Sequence, residues 1–427
     1  MRVLFSTMPM SQLSSEAGAT KLADRSQAAD SAPVTNITVA LLTGGVDPPY
    51  VYGISMALIS KGISLEILGS DKVDRPEMHS TRGITFLNIQ KSQPENASFG
   101  RRARSILSIY GRILRYAWTA EPKIFHILWN NKVEWFDRIV LTVYFKLLGK
   151  KVAFTAHNVN TRARDGKDSA FNRLSLRVQY RLVDRIFVHT ERMKKELLTD
   201  FGVKERAISV IPFGVNNAVP DSKLTPSEAR QRLGIGQGEK AILFFGALRP
   251  SKGLEYLVAA FQLLARNHRE YRLIVAGERK KGSEQYVDGI RATISQDVSS
   301  DRVIQVIEYI PDADTEVYFK AADVVVLPYT AIFQSGVLFL SYSFGLPVIA
   351  TNVGSFEDDV IVGQTGFLCD PCDSAALAGV IERYFDSGLF KSLDASRRLI
   401  RDHVRARHSW DLVGEKIQNV YDEFLKA

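Results

Sequence analysis

Ala241-Ile-Leu-Phe-Phe245 runs directly into Gly246-Ala-Leu-Arg249-Pro-Ser-Lys252-Gly253 and then into Leu254-Glu-Tyr-Leu-Val-Ala-Ala-Phe261. A short apolar run closed by glycine reads as a strand buried on both faces, the kind found in parallel sheets. The residues after Gly253 are compatible with a helix. Strand, glycine turn and helix in immediate succession are the building unit of an open α/β sheet. Glycines at both ends of the turn allow close backbone approach, and Arg249 and Lys252 lie between them. Arginine offers a planar fork and lysine a compact charge, so the pair suits a diphosphate leaving group. The competing reading is an ordinary turn whose cations are solvated.

Toward the carboxyl terminus the alternation continues through Arg272–Val275, Val303–Val306, Val324–Leu327 and Pro347–Ala350. After Leu327 comes Pro328-Tyr-Thr-Ala-Ile-Phe-Gln334-Ser335-Gly336-Val337, leading into a helix. Amides around Ser335, Gly336 and Val337 would open that helix, where unsatisfied N–H groups and the dipole favour phosphate oxygens. Toward the amino terminus the same rhythm gives strands at Ile37–Leu42, Ile63–Leu68, Ile124–Leu128, Lys151–Thr155, Arg185–Val188 and Ile208–Ile211, with helices such as Tyr50–Ser60 and Phe136–Leu148 between them. Gly44 and Gly45 follow the first strand and allow either a substrate approach or simply a tight turn. His157 follows Lys151–Thr155 at the edge of the expected cleft. A histidine there either serves a reacting sugar or is structural.

These boundaries divide the chain into an extension over residues 1–33, expected to be disordered, a first α/β domain over 34–214 and a second over 215–407. A terminal amphipathic helix closes the chain, with Trp410, Val413, Ile417, Val420 and Phe424 on one face. The fold class is therefore α/β, with two Rossmann-like domains facing a central cleft where ligands of such sheets bind.

Composition agrees with this division. The chain has 427 residues, 45% hydrophobic and 24% charged, too long for one ordinary core and well suited to two. Its apolar runs are far shorter than the roughly 20 residues of a membrane-spanning helix, and the opening residues carry no convincing cleavage site. A cytoplasmic protein is expected, with association at the inner face of the plasma membrane as an added expectation. The two cysteines, Cys369 and Cys372, lie in a Cys-Asp-Pro-Cys run without a helix-opening βαβ context and read as a reduced loop. The net charge of +8 is uneven: residues 34–220 hold 28 basic and 16 acidic side chains, residues 221–427 hold 24 and 28. The basic half should face an anionic partner.

Within that half, 99–118 interleaves Arg101, Arg102, Arg104, Arg112 and Arg115 with Ile106, Leu107, Ile109, Tyr110, Ile113, Leu114 and Trp118. Such a basic amphipathic helix fits an anionic membrane surface, or equally a solvated face over a core stripe. No aromatic platform or binding module points to nucleic acid. Asp312-Ala-Asp314 precedes a helix-like stretch and is better explained by helix capping and dipole compensation than by a metal. No metal and no cofactor are expected.

The order of these segments resembles glycosyltransferase family 4, retaining enzymes of the GT-B fold. The resemblance covers Asn36 to the carboxyl terminus and rests on F-G-A-L-R-P-S-K-G, A-A-D-V-V-V-L-P-Y, Q-S-G-V, G-L-P-V-I-A-T-N-V-G and G-Q-T-G-F-L. It implies that Arg249 and Lys252 contact the donor diphosphate beside Gly246. Gln334, Ser335, Gly336 and Val337 would form the phosphate-facing loop, and His157 would face the transferred sugar. Gly44 and Gly45 would form the amino-terminal glycine loop, and Ile211-Pro-Phe-Gly-Val215 the interdomain signature. The helix around Trp410, residues 408–427, would cross back onto the first domain. One departure stands out: Ile332 and Leu340 replace a pair of glutamates eight positions apart, and neither can accept hydrogen bonds from hydroxyls. Gln334 is the candidate polar substitute.

The expected activity is transfer of a sugar from a nucleoside-diphosphate sugar to a saccharide acceptor, lipid-linked in one version, in bacterial polysaccharide or glycoconjugate synthesis. Two alternatives are a nucleotide-binding partner protein without activity, and a sugar-nucleotide epimerase on the same fold.

Overall fold

In the computed structural model residues 37–92, 98–164, 167–215, 219, 221–297 and 299–426 are described; the extension expected over 1–33 lies outside them. The first sheet has seven strands: β1 (Thr38–Leu42), β2 (Ser64–Ser70), β3 (Ile84–Gln90), β4 (Ile124–Ile127), β5 (Lys151–Thr155), β6 (Arg185–Val188) and β7 (Ile208–Val210), ordered β3-β2-β1-β4-β5-β6-β7. The second has six: β8 (Lys240–Phe245), β9 (Tyr271–Ala276), β10 (Val303–Val306), β11 (Val324–Leu327), β12 (Val348–Thr351) and β13 (Gly366–Cys369), ordered β10-β9-β8-β11-β12-β13. Neighbouring strands are parallel, as in β1 with β4 and β8 with β9. In both sheets the chain order reverses beside the first strand, which opens a crevice at the carboxyl ends.

Every strand expected from the sequence is present within one or two residues. β3 and β13 are additional. β3 is an edge strand, only partly buried and mixed in polarity, so its pattern is weak. β13 begins on Gly366, where a Cβ would stand 1.8 Å from the Val348 carbonyl oxygen of β12; the close backbone approach explains a glycine that would otherwise argue against a strand. β13 also corrects the reading of the cysteines. Their run does join a strand to a helix, Ser374–Asp386, but Cys369 is buried and burial pushes its thiol up to about 11, while Cys372 is exposed. The expected helix Phe136–Leu148 opens as a π-helix over Phe136–Leu141, where the Thr142 hydroxyl donates to the Asp137 carbonyl at 3.0 Å.

The terminal helix Trp410–Lys426 packs on helix Pro48–Ser60, and Val413, Ile417 and Tyr421 join Tyr50, Val51 and Ile54 in one apolar cluster. Trp410 fixes the junction. Its indole occupies the space where a Cβ on Gly53 or Gly214 would come within 2.1 or 2.4 Å, and its Nε1 donates to the Val215 carbonyl at 2.7 Å. Several contacts join the two halves near the crevice. Arg75 pairs with Asp312 at 2.7 Å, Arg192 donates to the Gly354 carbonyl at 3.1 Å, and Phe213 stacks on Phe339 with ring centroids 5.3 Å apart. The first corrects the reading of Asp312: no side chain caps helix Asp312–Ala321, and Asp312 and Asp314 lie inside its first turn, favourable to the dipole.

Candidate active site

On the carboxyl-terminal side, the turn after β8 is pressed against the turn after β11. Arg249 leads into a 3₁₀ turn, Pro250–Lys252, that ends at Gly253 with φ 61°. A Cβ on Gly253 would lie 2.0 Å from the Pro328 carbonyl oxygen, and Thr330 N–H donates to the Ser251 carbonyl at 3.2 Å. Glycine is thus required by both the left-handed backbone and the contact. Lys252, only 9% exposed, places its ammonium 3.6 Å from the centre of the Tyr329 ring, a close cation–π geometry. The Tyr329 hydroxyl is buried, and desolvation pushes it up to about 12 against the opposing pull of the nearby Ser335 hydroxyl and then of the Arg249 charge.

Ser335 caps the following helix, Gly336–Ser343, with its hydroxyl accepting from Leu338 N–H at 3.4 Å. Gly246 stands beside it, since a Cβ there would meet Val337 Cγ2 at 3.3 Å. The structure therefore brings together Gly246, Arg249, Lys252, Gln334, Ser335, Gly336 and Val337. Three buried polar atoms in this cluster have no hydrogen-bond partner among the described residues: Arg249 Nε, Tyr329 Oη and Gln334 Oε1. Buried polar groups are rarely left so, which makes these two turns the candidate donor-side site. Leu340 is buried in the core of this half and Ile332 packs against it, so both positions are absorbed into apolar packing.

On the amino-terminal side, His157 sits in an aromatic box. Its ring stacks on Trp129 at 3.9 Å and 4° and meets Tyr50 edge-on at 4.6 Å. Its Nδ1 lies 3.1 Å from His189 Nε2, and His189 Nδ1 faces the Ile211 carbonyl at 3.4 Å. A carbonyl only accepts, so His189 Nδ1 carries the proton and His189 Nε2 accepts from His157 Nδ1. His157 Nε2 is left as a bare lone pair, buried and without a partner among the described residues. Burial, then the neighbouring His189 and His126, holds His157 well below the ordinary histidine range. Burial likewise brings His189 down to about 4 and His126 to about 3. His126, in β4, is held by the Tyr421 hydroxyl at 2.6 Å and the Thr155 hydroxyl at 2.8 Å.

Gly44 belongs to the same wall. With φ 61°, a Cβ there would come within 2.8 Å of Trp129 Cβ, so the glycine lets the first turn touch the tryptophan that carries His157; Gly45, with φ 72°, similarly abuts Ser70. A cavity of about 150 Å³ lined in part by Asn130, Glu134, Arg138, His157 and Asn158 opens beside the histidine. The two clusters communicate through aromatic contacts, from Tyr50 to Phe213 at 5.4 Å and from Phe213 to Phe339 in the phosphate-loop helix.

Sequence reasoning did not find Trp129, Tyr50, His189 or Tyr329. His189 carried a usable signal, since it follows β6 as His157 follows β5. Trp129 follows β4 in the same way, whereas Tyr50 sits inside a helix and only packing reveals it.

Comparison with known proteins bears on the family and the fold. Residues 49–219 match the family model described as Glycosyltransferase Family 4, and residues 239–387 match the one described as Glycosyl transferases group 1. A D-inositol 3-phosphate glycosyltransferase from Acidothermus cellulolyticus is 26% identical over 392 residues, covering 88% of this chain and 85% of that protein; the one from Corynebacterium diphtheriae is 24% identical over 395 residues. Among solved structures, the sucrose-phosphate synthase of Thermosynechococcus elongatus superposes with a TM-score of 0.73 at 19% identity over 92% of this chain and 100% of that one. Anabaena HepE in complex with UDP-glucose does so at 0.71 and 16%, over 91% of this chain and 100% of that one. Two parallel sheets meeting at their carboxyl ends across these loops define the GT-B class. Within that class the chain is a glycosyltransferase of the family 4 type.

Proposed function

We propose that the protein transfers a glycosyl unit from a nucleoside-diphosphate sugar to a hydroxyl of a saccharide acceptor, with retention at the anomeric carbon. The observation that carries this is the trio of buried, unpartnered atoms, Arg249 Nε, Tyr329 Oη and Gln334 Oε1, grouped around Lys252 and the start of helix Gly336–Ser343. As the bond from the anomeric carbon to the diphosphate breaks, negative charge grows on the leaving group. Arg249, Lys252 and the first-turn amides stabilise it in a water-poor cleft. Their charge suffices for this reading without a metal. His157 accepts a hydrogen bond from a sugar hydroxyl at Nε2 and orients the sugar; its buried, neutral state does not suit a general acid. With Ile332 and Leu340 apolar, Gln334 supplies a polar contact near the diphosphate.

The acceptor-bearing half also favours a substrate carried on a lipid. Helix Phe99–Thr119 turns Ile109, Tyr110, Ile113 and Ala117 into the core, so the core-stripe reading holds for that face. The opposite face carries Arg104, Leu107, Gly111, Arg115 and Trp118, all exposed and spaced by three or four residues in register. Leu107 and Trp118 are 71% and 72% exposed, and Phe99, Leu147 and Phe171 add further exposed apolar side chains in this half. Arginines interleaved with bare apolar side chains suit the inner surface of an anionic membrane, and so a role in polysaccharide or glycoconjugate assembly there. No helix among the described residues is long and apolar enough to cross a membrane.

Incubating the purified chain with UDP-, GDP-, ADP- and dTDP-sugars, with a bacterial lipid extract as acceptor source, tests the first part. Diphosphate release coupled to a new glycoside supports it. Binding without release points to the inactive partner protein, and isomerised free sugar nucleotide to the epimerase. For the second part, the Leu107→Glu, Trp118→Glu double variant should no longer float with anionic liposomes. Unchanged flotation would remove the membrane reading.

A further inference from the structure

A second basic cavity lies in the crevice, apart from the loops already described. It measures about 1020 Å³ and is walled by both halves of the molecule, ample for a ligand larger than a monosaccharide. From the amino-terminal half come Lys72, Lys91, Arg102 and Lys132; from the other come Arg279, Lys280 and Lys281. Among the described residues two carboxylates share the lining, Glu278 and Glu284. Glu278 is paired with Lys280, and Glu284 is influenced by Arg279 and Lys281. The carboxylates therefore answer the cations of their own half. Among the described residues Lys72 and Lys132 have no ion pair, and exposed Asp71 lies near Lys91.

The position of the cavity gives this surplus a meaning. Ser70 in its wall is the residue that Gly45 abuts. On the opposite wall, Leu248 N–H donates to the Glu278 carbonyl at 2.9 Å and Lys280 N–H to the Leu248 carbonyl at 3.3 Å. The segment carrying Arg279, Lys280 and Lys281 is thus tied to the turn that presents Arg249. The cavity lies between the acceptor-side glycine turn and the donor-side turn, yet Arg249, Lys252 and His157 do not line it. Like charges gathered around an open space repel one another, and a bound anion relieves that repulsion. Serines at 70, 92 and 105 and the Gln90 amide add hydrogen-bonding groups, and Ile106 and Ile109 give the floor an apolar patch.

We propose that this cavity binds a phosphoryl group carried by the acceptor, held mainly by Lys72, Lys91 and Lys132, so that the protein glycosylates a phosphate-bearing saccharide and not a neutral one. The inference rests on the glycosyltransferase reading and specifies its acceptor. The phosphoryl group belongs either to a soluble sugar phosphate or to the diphosphate of a lipid-linked sugar. A smaller cavity that shares Lys91, Ser105 and Ile109 and continues past Arg101, Arg104 and Arg112 along helix Phe99–Thr119 gives a diphosphate-linked lipid a path out.

The test is direct binding to the full chain by calorimetry, which is independent of turnover. The probes are glucose, glucose 1-phosphate, and a glucosyl diphosphate carried on a short isoprenyl chain in detergent. The expected result is that at least one phosphorylated probe binds tenfold or more tightly than glucose. The Lys72→Glu, Lys132→Glu double variant should abolish that preference, and the Arg249→Ala variant should retain it. Preference for the isoprenyl probe alone assigns the phosphoryl group to a lipid carrier; equal preference for glucose 1-phosphate assigns it to a soluble acceptor. Equal binding of all three probes overturns the proposal. So does a preference that disappears in Arg249→Ala but survives in the lysine double variant, because the anion would then sit in the donor turn. Absence of diphosphate release from every nucleotide sugar would overturn the transferase reading while leaving this binding result to stand or fall separately.

Discussion

Arg249 and His157 occupy corresponding places, each just beyond a parallel strand and each facing the crevice, but their surroundings are built on opposite terms. Around Arg249 the structure gathers charge: Lys252 lies against the Tyr329 ring and a helix start points the same way. Around His157 it removes charge. Trp129, Tyr50 and His189 enclose the ring, and burial keeps the cluster's histidines neutral. The difference teaches that the two sides divide the work. On the proposed function, one side answers the charge that develops on a leaving group, while the other offers shape and a single neutral acceptor to a sugar, whose hydroxyls need hydrogen bonds and no counter-charge.

The strongest way to break this comparison is to remove charge from the charged side. Arg249→Ala should lower kcat/KM by about 10² to 10³, the usual cost of losing a donor aimed at developing charge, with little change in the thermal transition. Steady-state kinetics with the preferred donor would measure it, and a loss below tenfold would contradict the assigned role.

The neutral side is sharpened by pH. His157→Ala should cost about 10- to 100-fold, the worth of one buried hydrogen bond. In the unaltered protein the rate should show no histidine inflection from His157 between pH 6 and 8, because its folded pKa lies well below the ordinary value of 6.5. A wild-type inflection near pH 6.5 that vanishes in the variant would show that the ring titrates and that the box does not exclude charge.

A smaller effect concerns stability. The folded pKa of His126 is depressed to about 3, so between there and about 6.5 the unfolded chain binds the extra proton. Its contribution is complete above pH 6.5 and is lost as pH falls, by up to ~1.4 kcal/mol per pH unit. Asp137 and Asp359, raised by burial to about 6 and 7, act in the opposite sense, so the informative quantity is a difference. Between pH 6 and 4.5 the thermal transition of the wild type should fall more steeply than that of His126→Gln. Parallel curves would count against a neutral buried ring.

The least effect is expected from Asp312→Ala. The Arg75–Asp312 pair crosses the crevice but is partly exposed, and such pairs are worth about 0 to 1 kcal/mol. Donor KM should change less than about threefold, in keeping with that energy. A large loss of activity restored by added divalent cation would instead mark Asp312 as a metal ligand.

Much of this architecture was readable in the sequence because its signals are local. Apolar runs ending in glycine and followed by helical residues locate β1 and β8 and the turns after them without knowledge of their neighbours. The cations at 249 and 252 and the helix start at 335–337 could be placed on those turns by spacing alone. β3 and β13 escaped because an edge strand carries only part of the apolar pattern, and because Gly366 makes sense only beside Val348. The aromatic box escaped for a related reason. Trp129, Tyr50, His157 and His189 come from four separate segments, and nothing in the local sequence says that their rings will meet.

By itself, then, the sequence determined two Rossmann-like sheets, the position of the donor-side turn and its charge, since strand, turn and helix are set by short-range pattern and backbone sterics. Only the tertiary structure decided the rest. It buried Leu340 in the core, turned Leu107 and Trp118 outward, and fixed the His157 tautomer through His189 and the Ile211 carbonyl. It also gathered lysines from distant strands into one cavity. Burial and proximity between remote segments set pKa, tautomer and local potential, and those are properties of a packed chain that residue order does not display.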